Sequence, residues 1–183
     1  MAAAPDPLQA TRMWLERAVI GLNLCPFAKA VHHKGLIRWV LSEATEPGEL
    51  LALLEAEMQH LLRTDAQQTD TTLIVHPGVL QDFFDFNDFL GLAEDRLAEL
   101  GLDGVLQIAS FHPDYQFADA APDAVDNLSN RSPYPTLHLL REDSVSRAVD
   151  AYPETDSIYE DNIRTLRRLG HEGWLRWMQG PPD

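Results

Sequence analysis

Thr71-Thr72-Leu73-Ile74-Val75-His76-Pro77-Gly78 decides how the rest of the chain is read. Thr71 to Val75 is a β-branched and aliphatic run without polar alternation, the composition of a strand buried on both faces. His76-Pro77 ends it, because proline has no N–H to give to a ladder. The same ending recurs where Val105 to Phe111 meets His112-Pro113-Asp114. If the two strands are parallel neighbours, both imidazoles lie on one rim of one sheet. Open α/β sheets place their ligand crevices on that rim.

Outward from these strands the pattern alternates between helix and strand. Upstream, Leu8 to Leu24 carries Trp14, Ala18 and Leu22 on a helical stripe, with Leu15 and Val19 beside it, and Asn23-Leu24-Cys25-Pro26 ends it. Ile37 to Leu41 reads as the first strand, Glu46-Pro47-Gly48 as a turn, and about Glu49 to Arg63 as a helix with Leu50, Leu54, Met58 and Leu61 on one face. Between the two His-Pro strands, Asp82 caps a helix to about Leu100, striped by Phe86, Phe89, Ala93 and Leu97 and stopped by Gly101.

Beyond the third strand, Pro113 to Pro135 reads as a long ordered loop anchored by Tyr115, Phe117 and Tyr134. Loops of this length inside a compact domain are uncommon and often functional. Thr136 to Leu140 is a fourth strand. Asp143 caps a short helix through Val149, and Tyr152-Pro153 breaks it. Ser157 and Glu160 have capping-box spacing for a last helix striped by Tyr159, Ile163, Leu166 and Leu169 and interrupted at Gly170. The order α-β-α-β-α-β-β-α-α predicts an α/β (or α+β) single domain over 8–178, with 1–7 and 179–183 as flexible termini. One mixed four-stranded sheet has helices packed on it. Its first three strands are parallel through right-handed crossovers, and the direction of the fourth is open.

The 183 residues carry a net charge of −15. An acidic excess counts against nucleic acid and against anionic membrane surfaces, and it serves solubility. One cysteine fits a reducing cytoplasm. The N-terminus has no signal-peptide pattern, and no stretch approaches the roughly 20 apolar residues of a membrane span. A soluble cytoplasmic protein is expected.

His76 and His112 are the leading candidates for chemistry, as a general acid/base pair or as metal ligands, since imidazole titrates near neutrality and ligates metals. The structural alternative is a polar cap at two strand ends. His112 is favoured because it opens directly into the long loop, where Asp114 can orient it. Cys25 is either a small buried hydrophobe or a nucleophile beside one of these histidines. A helix C-terminus, where it lies, opposes thiolate formation. In the loop, Arg131 is the only basic residue between Arg96 and Arg141. It can clamp a carboxylate or phosphate, with Asn127, Asn130 and Tyr115 beside it, or bridge internally to Asp119, Asp123 or Asp126. His138 reads as a core or helix-facing histidine, with a third metal ligand as the alternative. His32 and His33 are placed in a turn, His60 on the surface and His171 at a helix end. Asp82, Asp85 and Asp88 form an acidic helix face.

No HExxH, paired CxxC, GxGxxG, P-loop or GxSxG is present. Zinc or another divalent metal therefore rests on geometry alone.

Three segments taken together carry a resemblance: Asn23-Leu24-Cys25-Pro26-Phe27-Ala28, Ser110-Phe111-His112-Pro113-Asp114-Tyr115-Gln116-Phe117, and Asn130-Arg131-Ser132-Pro133-Tyr134-Pro135-Thr136-Leu137-His138-Leu139-Leu140-Arg141-Glu142. The chain resembles an uncharacterised family of bacterial proteins, a domain of unknown function, from about Thr11 to Trp174. The resemblance implies a bacterial source and a stand-alone domain, and it brings no activity or cofactor. On the residues, the leading expectation is a small enzyme acting on a small molecule, an anion among the candidates, at the carboxyl edge of the sheet. The alternative is a non-catalytic binding or assembly module with structural histidines, in which Phe83, Phe84, Phe86 and Phe89 form a partner surface.

Overall fold

The computed structural model describes residues 5–152 and 154–180. The fraying expected at 1–4 and 181–183, and the proline of the Tyr152-Pro153 break, lie outside the described residues. Asp6 caps α1 (Pro7–Trp14), accepting the Leu8 N–H at 2.8 Å, so Pro7 is the first helical residue and not part of a loose terminus. The helix does not run on as α to Leu24. It widens into a π turn, Leu15–Ile20, where the Gly21 N–H reaches the Glu16 carbonyl at 3.0 Å. Trp14, Leu15, Ala18 and Val19 are all buried by it. After Pro26 a short helix, α2 (Ala28–His33), stands where a turn was expected, and it holds His32 3.1 Å from Glu16.

The strands are β1 (Ile37–Leu41), β2 (Thr71–Val75), β3 (Leu106–Phe111) and β4 (Thr136–Arg141), in the spatial order β1-β2-β4-β3. β1 and β2 are parallel, joined by α3 (Pro47–Arg63). Glu46-Pro47-Gly48 opens that helix instead of turning ahead of it, with Glu46 and Glu49 forming a reciprocal capping box. α4 (Phe83–Glu99) follows β2, and the Asp82 carboxylate accepts the N–H groups of Phe84 and Asp85 at 2.8 and 3.1 Å, as its position predicts. β2 and β3 point the same way but are not neighbours. The crossover leaves one strand position open, and β4 fills it, antiparallel to both. The expected parallel adjacency of the two His-Pro strands is therefore corrected by one intervening strand.

Alternation along the strands divides the apolar residues between two faces. Ile74, Leu106, Leu137 and Leu139 pack with Leu50, Leu54, Met58, Phe86, Phe89 and Leu97 of α3 and α4. Trp39 and Phe111 turn the other way, against Trp14, Leu15, Leu166 and Trp174. At the far end of β4, Arg141 ties the sheet to the end of α3, donating to the carbonyls of Leu61, Thr64 and Thr69 at 2.6–2.9 Å.

α5 (Glu142–Ala151) and α6 (Ile158–Gln179) complete the chain. The capping box expected at Ser157 does not form: its hydroxyl bonds the Glu154 carbonyl and Asp161 instead of capping the helix. Gly170 does interrupt α6, with φ 67° and ψ 175°. That region is essentially reserved for glycine. A Cβ at this position would meet nothing within 4 Å, so the cost of Gly170→Ala is conformational alone. Urea unfolding should show the variant destabilised by about 1–3 kcal/mol, and an unchanged midpoint would contradict the break.

Candidate functional site

His76 and His112 continue the alternation of β2 and β3, so both rings turn to the face covered by α3 and α4. Neither is exposed (0%). They share Phe86, whose ring centroid lies 5.6 Å from that of His76 and 5.0 Å from that of His112. Phe83 adds a second contact to His112 at 5.4 Å. The first turn of α4, set by the Asp82 cap, thus roofs both histidines.

Each imidazole also ties down the loop between β2 and α4. His76 Nδ1 donates to the Val79 carbonyl at 3.1 Å. His112 Nδ1 accepts the Asp114 backbone N–H at 3.0 Å, which leaves its proton on Nε2 to donate to the Leu80 carbonyl at 3.1 Å. This loop needs the restraint. Leu80 has φ 59°, in the left-handed region that disfavours L side chains, and a Cβ on Gly78 would lie 2.9 Å from the Ala44 carbonyl oxygen.

The two rings are not bonded to each other, and His76 Nε2 is buried with no partner. Burial pushes the His76 imidazole down to about 4, against the bond to Val79, and the charge of His112 adds to the depression. Burial lowers His112 as well, opposed by the Leu80 bond and by the carboxylates of Asp114 and Asp82. Asp114 itself is exposed and orients His112 through its amide, while its carboxylate acts only as a nearby charge.

The other candidates go elsewhere. Cys25 is half-buried against the apolar cluster that contains Trp14 and Leu24, on the opposite face of the sheet, and does not join the histidines. His138 occupies that same face, its Nε2 2.6 Å from the Thr71 hydroxyl, and burial pushes it down to about 4. Among the described residues no three His, Cys, Asp or Glu side chains converge as a metal-binding group, so the zinc reading has no donor set.

The loop residues mostly order the loop. Arg131 makes none of the expected carboxylate bridges: Nε donates to the Tyr115 carbonyl at 3.0 Å and Nη2 to the Pro122 carbonyl at 2.6 Å. Asp126 pairs with Arg167 instead. Asn127 is fully buried, accepting the Phe117 N–H and donating to the Ala121 carbonyl. The Asn130 carbonyl accepts the His112 N–H at 3.1 Å. Tyr115 packs between Phe83 and Phe117, and burial raises its hydroxyl. The four phenylalanines form no common surface. Phe86 and Phe89 are buried and Phe83 covers His112, so only Phe84, at 71%, is well exposed.

What the loop does build is a cleft of about 360 Å³, closed on its far side by the half of α6 beyond Gly170. Trp14, Leu128, Arg131, Ser132, His171 and Trp174 are among its walls. Arg131 Nη1 has no hydrogen-bond partner among the described residues. His171 Nε2 donates to the Asp123 carbonyl at 2.8 Å, leaving Nδ1 as an acceptor. The Trp14 indole N–H is buried and unpartnered. The Trp14 stripe and the Gly170 break are readable separately in the sequence. Their meeting across a loop is not, so Trp14, Ser132 and Trp174 escape a sequence-based site search.

A family model described as a protein of unknown function (DUF1415) matches residues 6–176. No curated protein and no solved structure matches the chain.

The histidines set a pH dependence. An unfolded chain protonates His76 near its ordinary value of 6.5, and the folded chain does so only near 4. Between those values the unfolded state binds more protons, so stability rises with pH across the window. It is full above about 6.5 and falls by up to about 3 kcal/mol on approaching pH 4. Urea midpoints at successive pH values should show this slope, and His76→Phe should flatten part of it. An identical slope in the variant would refute the assignment.

Proposed function

The chain belongs to the DUF1415 family of proteins of unknown function, so its role rests on the geometry of its own residues, and we propose that it binds a small anionic molecule in the cleft beside Arg131. The observation that carries this reading is the state of that arginine. In a chain of net charge −15 this residue of the cleft wall is held by two carbonyls, and its Nη1 has no hydrogen-bond partner among the described residues. A guanidinium suits a carboxylate or phosphate, and a fixed one loses less freedom on binding. Trp14, Leu128 and Trp174 suit an apolar body, and the cleft lies at the small end of ligand-pocket sizes.

The state of the strand-end histidines favours binding over catalysis. Three of their four ring nitrogens are engaged by backbone groups and the fourth is sealed. A general acid/base needs a nitrogen within reach of its substrate. The proposal therefore assigns His76 and His112 to structure and includes no metal. It also includes a cytoplasmic location, argued from the lone Cys25, and partners that are neither nucleic acid nor membrane, argued from the acidic charge. Among the described residues, no helix is long and apolar enough to cross a membrane.

Titration with aromatic and branched aliphatic carboxylates and with phosphate monoesters tests the reading, followed by tryptophan fluorescence and amide shifts. Shifts should centre on 128–132 and 171–178, and Arg131→Lys should weaken binding about tenfold or more. Shifts centred on His76 and His112, or none at millimolar ligand, would overturn it.

A further inference from the structure

We infer that the chain associates with itself head to tail, the exposed stripe of α4 on one copy lying in an arginine-lined groove beside α6 on the next. The inference does not depend on the cleft.

α4 buries Phe86, Phe89, Ala93 and Leu97 and leaves its opposite face bare. On that face Phe84 is 71% exposed and Leu92 55%, with Asp88 between them at helical spacing. Asp85 and Asp95 are exposed as well. A helix presenting residues i, i+4 and i+8 in this way is the form that grooves accept.

The groove, of about 730 Å³, has Arg17, Arg168, Leu169, Gly173, Arg176 and Trp177 in its walls. Two of its members are fixed in place. Arg17 Nη1 donates to the Met178 carbonyl at 2.5 Å, and the Trp177 indole donates to the Arg17 carbonyl at 2.6 Å, locking a ring that remains 43% exposed. Two guanidiniums are not held by the described residues. Arg168 is in no ion pair among the described residues, and Arg176 meets only Glu172, at 3.7 Å with both side chains largely exposed. A Cβ on Gly173 would lie 3.0 Å from the Leu169 side chain, so glycine keeps the groove floor low. Pre-positioned tryptophan and arginine are the residue types that dominate association energy.

Charge selects the occupant. Arg12, Arg17, Arg164, Arg167, Arg168 and Arg176, six of the chain's fourteen basic residues, belong to α1, its π turn and α6, where four acidic residues, Glu16, Glu160, Asp161 and Glu172, stand against them. α4 bears Asp85, Asp88, Glu94, Asp95 and Glu99 against Arg96 alone. Opposite signs thus meet at the contact, while the net −15 of each copy is screened over a Debye length of about 8 Å at physiological salt. α4 and α6 lie on opposite faces of the sheet, so stripe and groove cannot meet within one copy. Because the two surfaces differ, the contact is heterologous and leaves one unused surface at each end.

Sedimentation equilibrium from micromolar to millimolar protein tests this. The wild-type mass should climb with concentration, and Arg168→Glu and Phe84→Glu, both at exposed positions, should each remain monomeric. Mixed in equal amounts, the two variants should form dimers and nothing larger, since one intact stripe and one intact groove remain. A monomeric wild type, an Arg168→Glu variant that still associates, or a mixture that stays monomeric would overturn the inference.

Discussion

The pairing of β4 with β2 on one side and β3 on the other is the constraint from which the geometry of this molecule follows. Residues 136–141 must enter between two strands that already point the same way, so they run antiparallel to both. β4 therefore begins on the rim where β2 and β3 end, Thr136 opposite Phe111, and 113–135 spans that rim between them. Its carbonyls continue the ladder past the strands: Pro135 accepts the His76 N–H at 3.0 Å and Asn130 accepts that of His112 at 3.1 Å. One strand's width between the histidines is also what leaves room for a single Phe86 ring to touch both.

The rim so formed has two unequal sides. On the α3/α4 side, the first turn of α4 and the Val79-Leu80 loop fill it, and the imidazoles serve as neutral packing, bonded to the carbonyls of Val79 and Leu80 and to the Asp114 N–H. Those bonds offset the cost of burying a polar ring, and His76 Nε2, buried without a partner, retains part of it. On the other side α6 is tied to the loop through Arg167–Asp126 and His171–Asp123, and the open space lies beside that contact, with the aromatic rings of Trp14 and Trp174 and one loop guanidinium around it.

Much of the fold is legible because its signals are local. The Thr71–Val75 run, the Asp82 cap and the Gly170 break each act within a turn or two, and each stands where the sequence puts it. Non-local choices are not legible. Nothing in 136–141 says which gap it fills. The π turn at Leu15–Ile20 has no local sequence signal, and α2 follows a proline that by itself only ends a helix. For the site, the residue types of His76, His112 and Arg131 are legible and their partners are not. Val79, Leu80, Tyr115 and Pro122 contribute carbonyl oxygens, which every residue has. The spacing from Cys25 to His76 likewise carries no information about which face of the sheet each will occupy.

The late position of β4 also has a consequence for the order in which the chain can be completed. β3 has no sheet partner other than β4, and β2 is only half paired without it. While the protein is being synthesised from its N-terminus, everything up to Phe111 can assemble helices and the β1–β2 pair, but β3 must wait with both backbone edges unsatisfied. Such bare edges are templates for pairing with other chains. The nascent protein is thus most exposed to misassembly during the interval in which residues 112–141 emerge, and a short interval there is worth more to this fold than a fast start.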